Sequence, residues 1–419
     1  MDQIKIIGGR PLQGTVEVSG AKNAALPILV ASLLGGGDCL IENVPQVRDV
    51  KTMGKLLALL GVAVEAEGSS LRLNADKVFS VEAPYELVKT MRASILALGP
   101  LLTRLGEAKV SLPGGCAIGT RPVNLHLKGL TMMGADIQVE HGYIHAKAKR
   151  LKGARIDFDF PTVTGTENLI MAACLAEGTT SLHNVAREPE ITDLCHFLSN
   201  RGAKIYGAGT DTITIEGVQE LSGATHRVIA DRVEAGTYIM AGAITGGDMI
   251  VKGCVPNHLG NVLKKLQEMG VTVTEYPEGM RVRRLGSLEA VEVKTLPYPG
   301  FPTDLQAQMI ALMSVANGTS VMTETIFEGR FLHIPELHRM GAAIEVDGPH
   351  AIIKGISSLT GAPVMASDLR ASAGLILAGL AADGETTVSR VYHLDRGYER
   401  MEEKFKALGG QVERIQQVA

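Results

Sequence analysis

Six amphipathic segments of this chain close on a glycine, and each is followed at once by an alternating, β-type run. They read KTMGKLLALLG, NLHLKGLTMMG, ITDLCHFLSNRG, LGNVLKKLQEMG, FLHIPELHRMG and GYERMEEKFKALG. The closing glycines are Gly61, Gly134, Gly202, Gly270, Gly341 and Gly409, so successive spacings are 73, 68, 68, 71 and 68 residues. Spacing this regular predicts one supersecondary unit written six times. A closing glycine suits a left-handed helix cap, and the runs after it (VAVEA, ADIQV, AKIY, VTVT, AAIEV, GQVER) suit strands. Ahead of each amphipathic segment lies a second helical pattern that is apolar nearly all round, as in MAACLA, MAGAI and LILAGLA. A helix without a polar face belongs inside a domain. Each unit therefore reads as buried helix, strand, polar loop, amphipathic helix and strand.

Six α/β units of roughly seventy residues suit two domains of three units each. A chain of 419 residues is also too long for one ordinary core. By composition the break falls in the turn-rich stretch 217–225, GVQELSGAT, ahead of a fresh strand at Val228. The N-terminal β segments at 4–7 and 15–18 fit either domain by pattern alone.

Composition narrows the function classes. At 45% hydrophobic and 21% charged residues the chain reads as globular, and a net charge of −4 gives no basic field for nucleic acid. The absence of Trp and an aromatic content of 4% disfavour base-stacking platforms. Five cysteines, Cys39, Cys116, Cys174, Cys195 and Cys254, are odd in number and widely spaced, which indicates neither a disulfide frame nor a zinc site. His126, His183, His258, His333 and His393 show no metal spacing. The first residues lack an apolar signal core, and the most apolar run, 24–34, carries Pro27 and is too short to span a bilayer, so the expected compartment is the cytoplasm. No phosphate-binding GxxxxGK[ST], dinucleotide GxGxxG, HExxH or GxSxG motif is present.

The repeat sorts the polar residues. The start of each buried helix carries Lys22 and Asn23, Arg92, Thr162 to Thr164, Asp231 and Arg232, Asp304, or Asp368 and Arg370. The loop before each amphipathic helix carries Arg48 and Asp49, Arg121, Arg187 and Glu188, Asn257 and His258, Arg330, or Asp395 and Arg396. Arg48, Arg121, Asn257 and Arg396 each lie 13 residues before the closing glycine. Equivalent positions emerge at the same end of a repeated fold, so this set points to an anion-binding cleft at helix N-termini. Asp304, in FPTDLQAQM, reads by default as a helix cap, with a second reading as a general base among cations. The loop SLPGGCAIGTRPVNL places the thiol of Cys116 among three glycines, five residues from Arg121. That setting favours the thiolate and keeps the sulfur accessible.

The motifs SGAKNAALP, MRASILALGP, PGGCAIGTRPV, AREPEI, FPTDLQAQ, DLRASA and HLDRGYER resemble the UDP-N-acetylglucosamine 1-carboxyvinyltransferase family of enolpyruvyl transferases, from end to end of the chain. The resemblance implies an α/β fold of two inside-out, barrel-like domains with three repeats each: 19–229, carrying the Cys116 loop, and 1–18 with 230–419, with the active site in the cleft between them. It implies transfer of the enolpyruvyl group of phosphoenolpyruvate to the 3′-hydroxyl of UDP-N-acetylglucosamine with release of phosphate, through a tetrahedral ketal. No cofactor or metal is implied, nor any nucleic-acid or membrane partner. Fosfomycin is implied as a covalent inhibitor at Cys116.

By the same resemblance Cys116 is the proton donor and Asp304 the base. Lys22, Arg121 and Arg396 take the phosphate, and Arg330 and Arg370 take the carboxylate. Asn23 and Arg92 touch the sugar nucleotide, Arg121, Pro122, Val123, Asn124 and Leu125 line its uridine side, and Thr162, Val163 and Thr164 face the diphosphate. The Ile326 backbone lies near the sugar, with Asp49, Glu188 and Asp231 behind. Two positions depart from the family pattern: Asn124 stands where many relatives carry Asp, and Phe160 where some carry Lys. The sister transferase that uses shikimate 3-phosphate has no counterpart of Cys116, and a non-catalytic sugar-nucleotide sensor has no need of Cys116, Asp304 and Lys22 together.

Overall fold

The computed structural model describes residues 2–112 and 123–416. Within them the strands form six sheets of four strands, one for each repeat read from the sequence. The third repeat shows the pattern. Strand Arg155–Asp157 leads through the helix Val163–Ala173 to strand Thr179–His183, which it pairs in parallel. The amphipathic helix Pro189–Asn200 then leads to an antiparallel pair, Lys204–Tyr206 and Thr212–Glu216.

All six closing glycines are left-handed, with φ between 85° and 105°. In each case the next residue's N–H reaches back to the last turn, as Val62 does to Leu57 and Val271 to Leu266. A side chain at such a φ clashes with its own backbone, which is why glycine recurs there.

Residues 2–19 and 230–416 form one compact unit, and 20–112 and 123–229 the other. In the first, the helices Arg232–Thr245, Gln306–Met313 and Leu369–Ala381 pack on one another. In the second, Leu98–Leu105 packs on Val163–Ala173, and the 3₁₀ turn Arg92–Ala97 joins that pair to Lys22–Ala31. These helices are buried almost all round, as their sequences require, because they are enclosed by sister helices and sheets. Each unit has its own hydrophobic core.

The strands near the N-terminus resolve the choice that pattern left open. Asp2–Ile7 lies between Glu385–Ser389 and Gln411–Gln416 and completes the sheet of the sixth repeat. Gln13–Glu17 pairs in parallel with Asp248–Lys252, a strand of the fourth repeat. Conversely, strand Thr225–Arg227, which precedes the fourth buried helix in sequence, pairs with Asp38–Glu42 of the first repeat. The first strands of repeats one and four are thus exchanged. This moves the break suggested by composition: 217–225 leads into a strand that needs Asp38–Glu42 as its partner, and the compact unit ends after Ile229.

Candidate active site

Within each unit the described residues singled out above stand at the starts of the buried helices or at and before the amphipathic ones. Three loop residues, Cys116, Arg121 and Pro122, lie outside the described residues.

In the unit formed by 20–112 and 123–229, Lys22 is the first residue of its helix and is buried, with Nζ 3.3 Å from Asp49 Oδ2. Asp49 sits in the first turn of Arg48–Leu60, where a carboxylate also meets the positive helix end. Asn23 beside Lys22 is half-buried, and Arg92 opens the turn Arg92–Ala97. Thr162 caps its helix, its Oγ1 accepting from the Gly165 N–H, and Val163 and Thr164 form the first turn. Asn124, exposed, begins the helix Asn124–Met132, with Val123 just before it and Leu125 just after. Glu188 stands at the cap position of Pro189–Asn200.

The hub of this unit is a histidine that sequence marked only as polar. His126 is buried; its Nδ1 lies 3.0 Å from Asn168 Nδ2 and its Nε2 3.3 Å from Thr164 Oγ1. Asn168 also donates to the Ile95 carbonyl and accepts from the Gly99 N–H. Burial, with the Arg92 charge second, lowers the His126 pKa to about 4, so the ring is neutral at pH 7. Next to Asn168 in the same helix, Glu167 has its pKa raised by burial first and then by Glu190 and Glu188.

In the other unit Asp304 lies in the turn Thr303–Leu305, ahead of the helix Gln306–Met313, and both of its carboxylate oxygens meet arginines. Its Oδ1 accepts from Arg330 Nη2 at 2.9 Å and its Oδ2 from Arg370 Nη2 at 2.9 Å. Both arginines are 4% exposed, so their charge needs this carboxylate. Burial opposes the Arg370 charge, but the Asp304 carboxylate more than offsets it and the pKa is raised. Arg370 Nη1 is buried without a hydrogen-bond partner among the described residues. Asp231 does cap, its Oδ1 accepting from the Val233 and Glu234 N–H groups, and its charge also reaches Arg370. Arg396 ends the turn Val391–Arg396 and is half-buried.

Two further groups here carried no sequence signal. Glu324 Oε1 accepts from the Ile326 and Phe327 N–H groups and from Thr295, while Oε2 accepts from Thr303, next to Asp304. The Ile326 N–H is therefore engaged inside its own loop. Beneath Arg370 lie Tyr398, Thr237 and Gln308, all buried.

Four cysteines, Cys39, Cys174, Cys195 and Cys254, are buried free thiols. Burial pushes Cys195 up to about 12 and Cys254 up to about 11, which suits neither a nucleophile nor an acid near neutral pH. Among the described residues no three His, Cys, Asp or Glu side chains gather as a metal site, and no helix is long and apolar enough to cross a membrane.

The model of the EPSP synthase (3-phosphoshikimate 1-carboxyvinyltransferase) family matches residues 6–405, and the chain belongs to that family. Two relatives named UDP-N-acetylglucosamine 1-carboxyvinyltransferase are similar along their whole length. The protein from Desulfosudis oleivorans is 56% identical over 415 residues, covering 99% of this chain and 100% of that one. The protein from Myxococcus xanthus is 55% identical over 417 residues, covering 99% of each. Among solved structures, the enolpyruvyl transferase NikO from Streptomyces tendae superposes with a TM-score of 0.88 at 26% identity, over 99% of this chain and 98% of that one. EPSP synthase from Acinetobacter baumannii shares the fold, with a TM-score of 0.77 at 20% identity over 99% of this chain and all of the other.

Proposed function

We propose that this chain transfers the enolpyruvyl group of phosphoenolpyruvate to the 3′-hydroxyl of UDP-N-acetylglucosamine and releases phosphate, the first committed step of peptidoglycan synthesis, in the cytoplasm. The choice of acceptor is supported by the relatives at 55–56% identity. The observation that carries the chemistry is the Asp304 carboxylate held between Arg330 and Arg370, with Arg370 Nη1 still unpartnered among the described residues.

A buried guanidinium pair that already binds a carboxylate is matched to the carboxylate of phosphoenolpyruvate. As that group binds, it competes with Asp304 for the arginines and leaves Asp304 a freer acceptor for the sugar hydroxyl proton. The hydroxyl oxygen then bonds to C2 of phosphoenolpyruvate while the Cys116 thiol protonates C3, giving a tetrahedral ketal with a methyl group. Return of a methyl proton to the thiolate left on Cys116 and cleavage of the C2–O bond to phosphate restore the double bond and release phosphate. Lys22, Arg121 and Arg396 stabilise the departing phosphate, and fixed cations of this kind act most strongly where water is excluded. Asn23, Arg92, the 121–125 segment, Thr162 to Thr164 and the Ile326 backbone hold the sugar nucleotide, with Asp49, Glu188 and Asp231 supporting them. No cofactor enters these steps. Fosfomycin, an epoxide with a phosphonate, fits the same thiol and phosphate-binding cations.

A phosphate-release assay with phosphoenolpyruvate and either acceptor tests the proposal. Release with UDP-N-acetylglucosamine and none with shikimate 3-phosphate is expected. The reverse result assigns the chain to the sister reaction, and no release with either leaves a binding protein.

A further inference from the structure

Gln308, Thr237 and Tyr398 come from three separate elements of one unit, the helices Gln306–Met313 and Arg232–Thr245 and the segment after the turn Val391–Arg396. All three are buried, where a polar group must find partners. They find one another: Gln308 Nε2 lies 3.0 Å from Thr237 Oγ1 and 3.1 Å from the Tyr398 hydroxyl, which is 2.9 Å from Thr237 Oγ1. Thr237 donates its own proton to the Val233 carbonyl, so its oxygen is left to accept from the other two. Two links then leave the triad toward the site. Gln308 Nε2 donates to the Asp304 carbonyl at 3.2 Å, and the Tyr398 ring lies under the Arg370 guanidinium, 5.5 Å from centroid to Cζ. Burial, the largest influence, raises the Tyr398 pKa, so the phenol stays protonated and keeps its donor at neutral pH.

We infer that Tyr398, with Thr237 and Gln308, positions the Arg370 guanidinium and the Asp304 backbone for phosphoenolpyruvate. Tyr398 is a positioning residue, since it acts through Arg370. The ring supplies a cation–π surface that fixes the plane of the guanidinium, and the hydroxyl fixes the ring. A guanidinium held in one plane loses less freedom when it closes on a carboxylate. This inference rests on the functional reading above, in which Arg370 binds the donor's carboxylate.

The test compares Tyr398→Phe, which keeps the ring and removes its anchor, with Thr237→Val, which removes the anchor from the other side. Steady-state KM values for both substrates are measured, together with phosphoenolpyruvate affinity by calorimetry and thermal unfolding. Either variant is expected to raise the phosphoenolpyruvate KM about tenfold, with the sugar-nucleotide KM within about twofold of wild type. In an Arg370→Lys background Tyr398→Phe is expected to add no further loss, because the group it positions is gone. An equal rise in both KM values, or a loss that adds in full to that of Arg370→Lys, would overturn the inference. If Tyr398→Phe does not fold, Thr237→Val decides alone. Wild-type turnover is the separate control: without it the functional reading fails, while calorimetry on the same variants still decides the positioning role.

Discussion

The two units use one repeat to build opposite kinds of polar centre. Counting six residues from each buried-helix cap (Ala21, Met91 and Thr162; Asp231, Pro302 and Asp368) reaches Pro27, Ala97 and Asn168 in one unit, and Thr237, Gln308 and Gly374 in the other. In the first, Asn168 is the one polar side chain of the three and recruits His126, giving a neutral centre. In the second, Thr237 and Gln308 meet, Tyr398 joins them, and the charged set of Asp304, Arg330 and Arg370 lies nearby. The frame fixes where a side chain stands, and the residue there decides the chemistry.

The largest test of this contrast is on turnover. Asp304→Asn keeps the shape but loses the base, and a fall in kcat of roughly 10²–10⁴-fold is expected. His126→Gln, in the neutral centre, is expected to keep kcat within about tenfold of wild type, since it supplies no proton to the reaction. Equal losses in a steady-state assay would erase the distinction between the two centres.

Acid stability tests the neutral centre directly. The folded-state pKa of His126, about 4, lies below the unfolded value of 6.5, so between these values the unfolded chain binds the extra proton. Stability is then lost as pH falls through that window, by about 3 kcal/mol at pH 4 for this one group. Denaturant titration of wild type and His126→Asn should show curves that converge on acidification. Parallel curves would mean that His126 titrates normally. His333 in the other unit is also lowered to about 4, with burial the first cause, so His126→Asn should leave part of the acid loss in place.

The smallest effect concerns packing. A Cβ on Gly99 would stand 2.3 Å from Asn168 Oδ1, whereas one on Gly374 would stand 2.9 Å from the Ala307 backbone. Gly99→Ala should cost about 1–3 kcal/mol and loosen the neutral centre, while Gly374→Ala should cost a similar amount without disturbing His126. Thermal melts, with the His126 titration followed by NMR, would separate the two.

Much of the frame was legible because it rests on local rules. The six glycines demanded a left-handed cap, and apolar helices demanded enclosure. Asp304 was harder: an acid before an apolar helix reads as a cap, and only the fold brings Arg330 and Arg370, 26 and 66 residues away, to its two oxygens. Glu324, Asn168 and Tyr398 gave no signal either, because a buried polar residue is recognised by partners that sequence does not reveal.

By itself, then, the sequence determined the repeat, its caps, its buried helices and the candidate charges, since each depends on neighbours a few residues away. Tertiary structure alone decided which strands Gln13–Glu17 and Thr225–Arg227 pair with, and which polar side chains share a hydrogen bond. Those depend on pairings between distant segments, whose partners are chosen by packing of the whole unit.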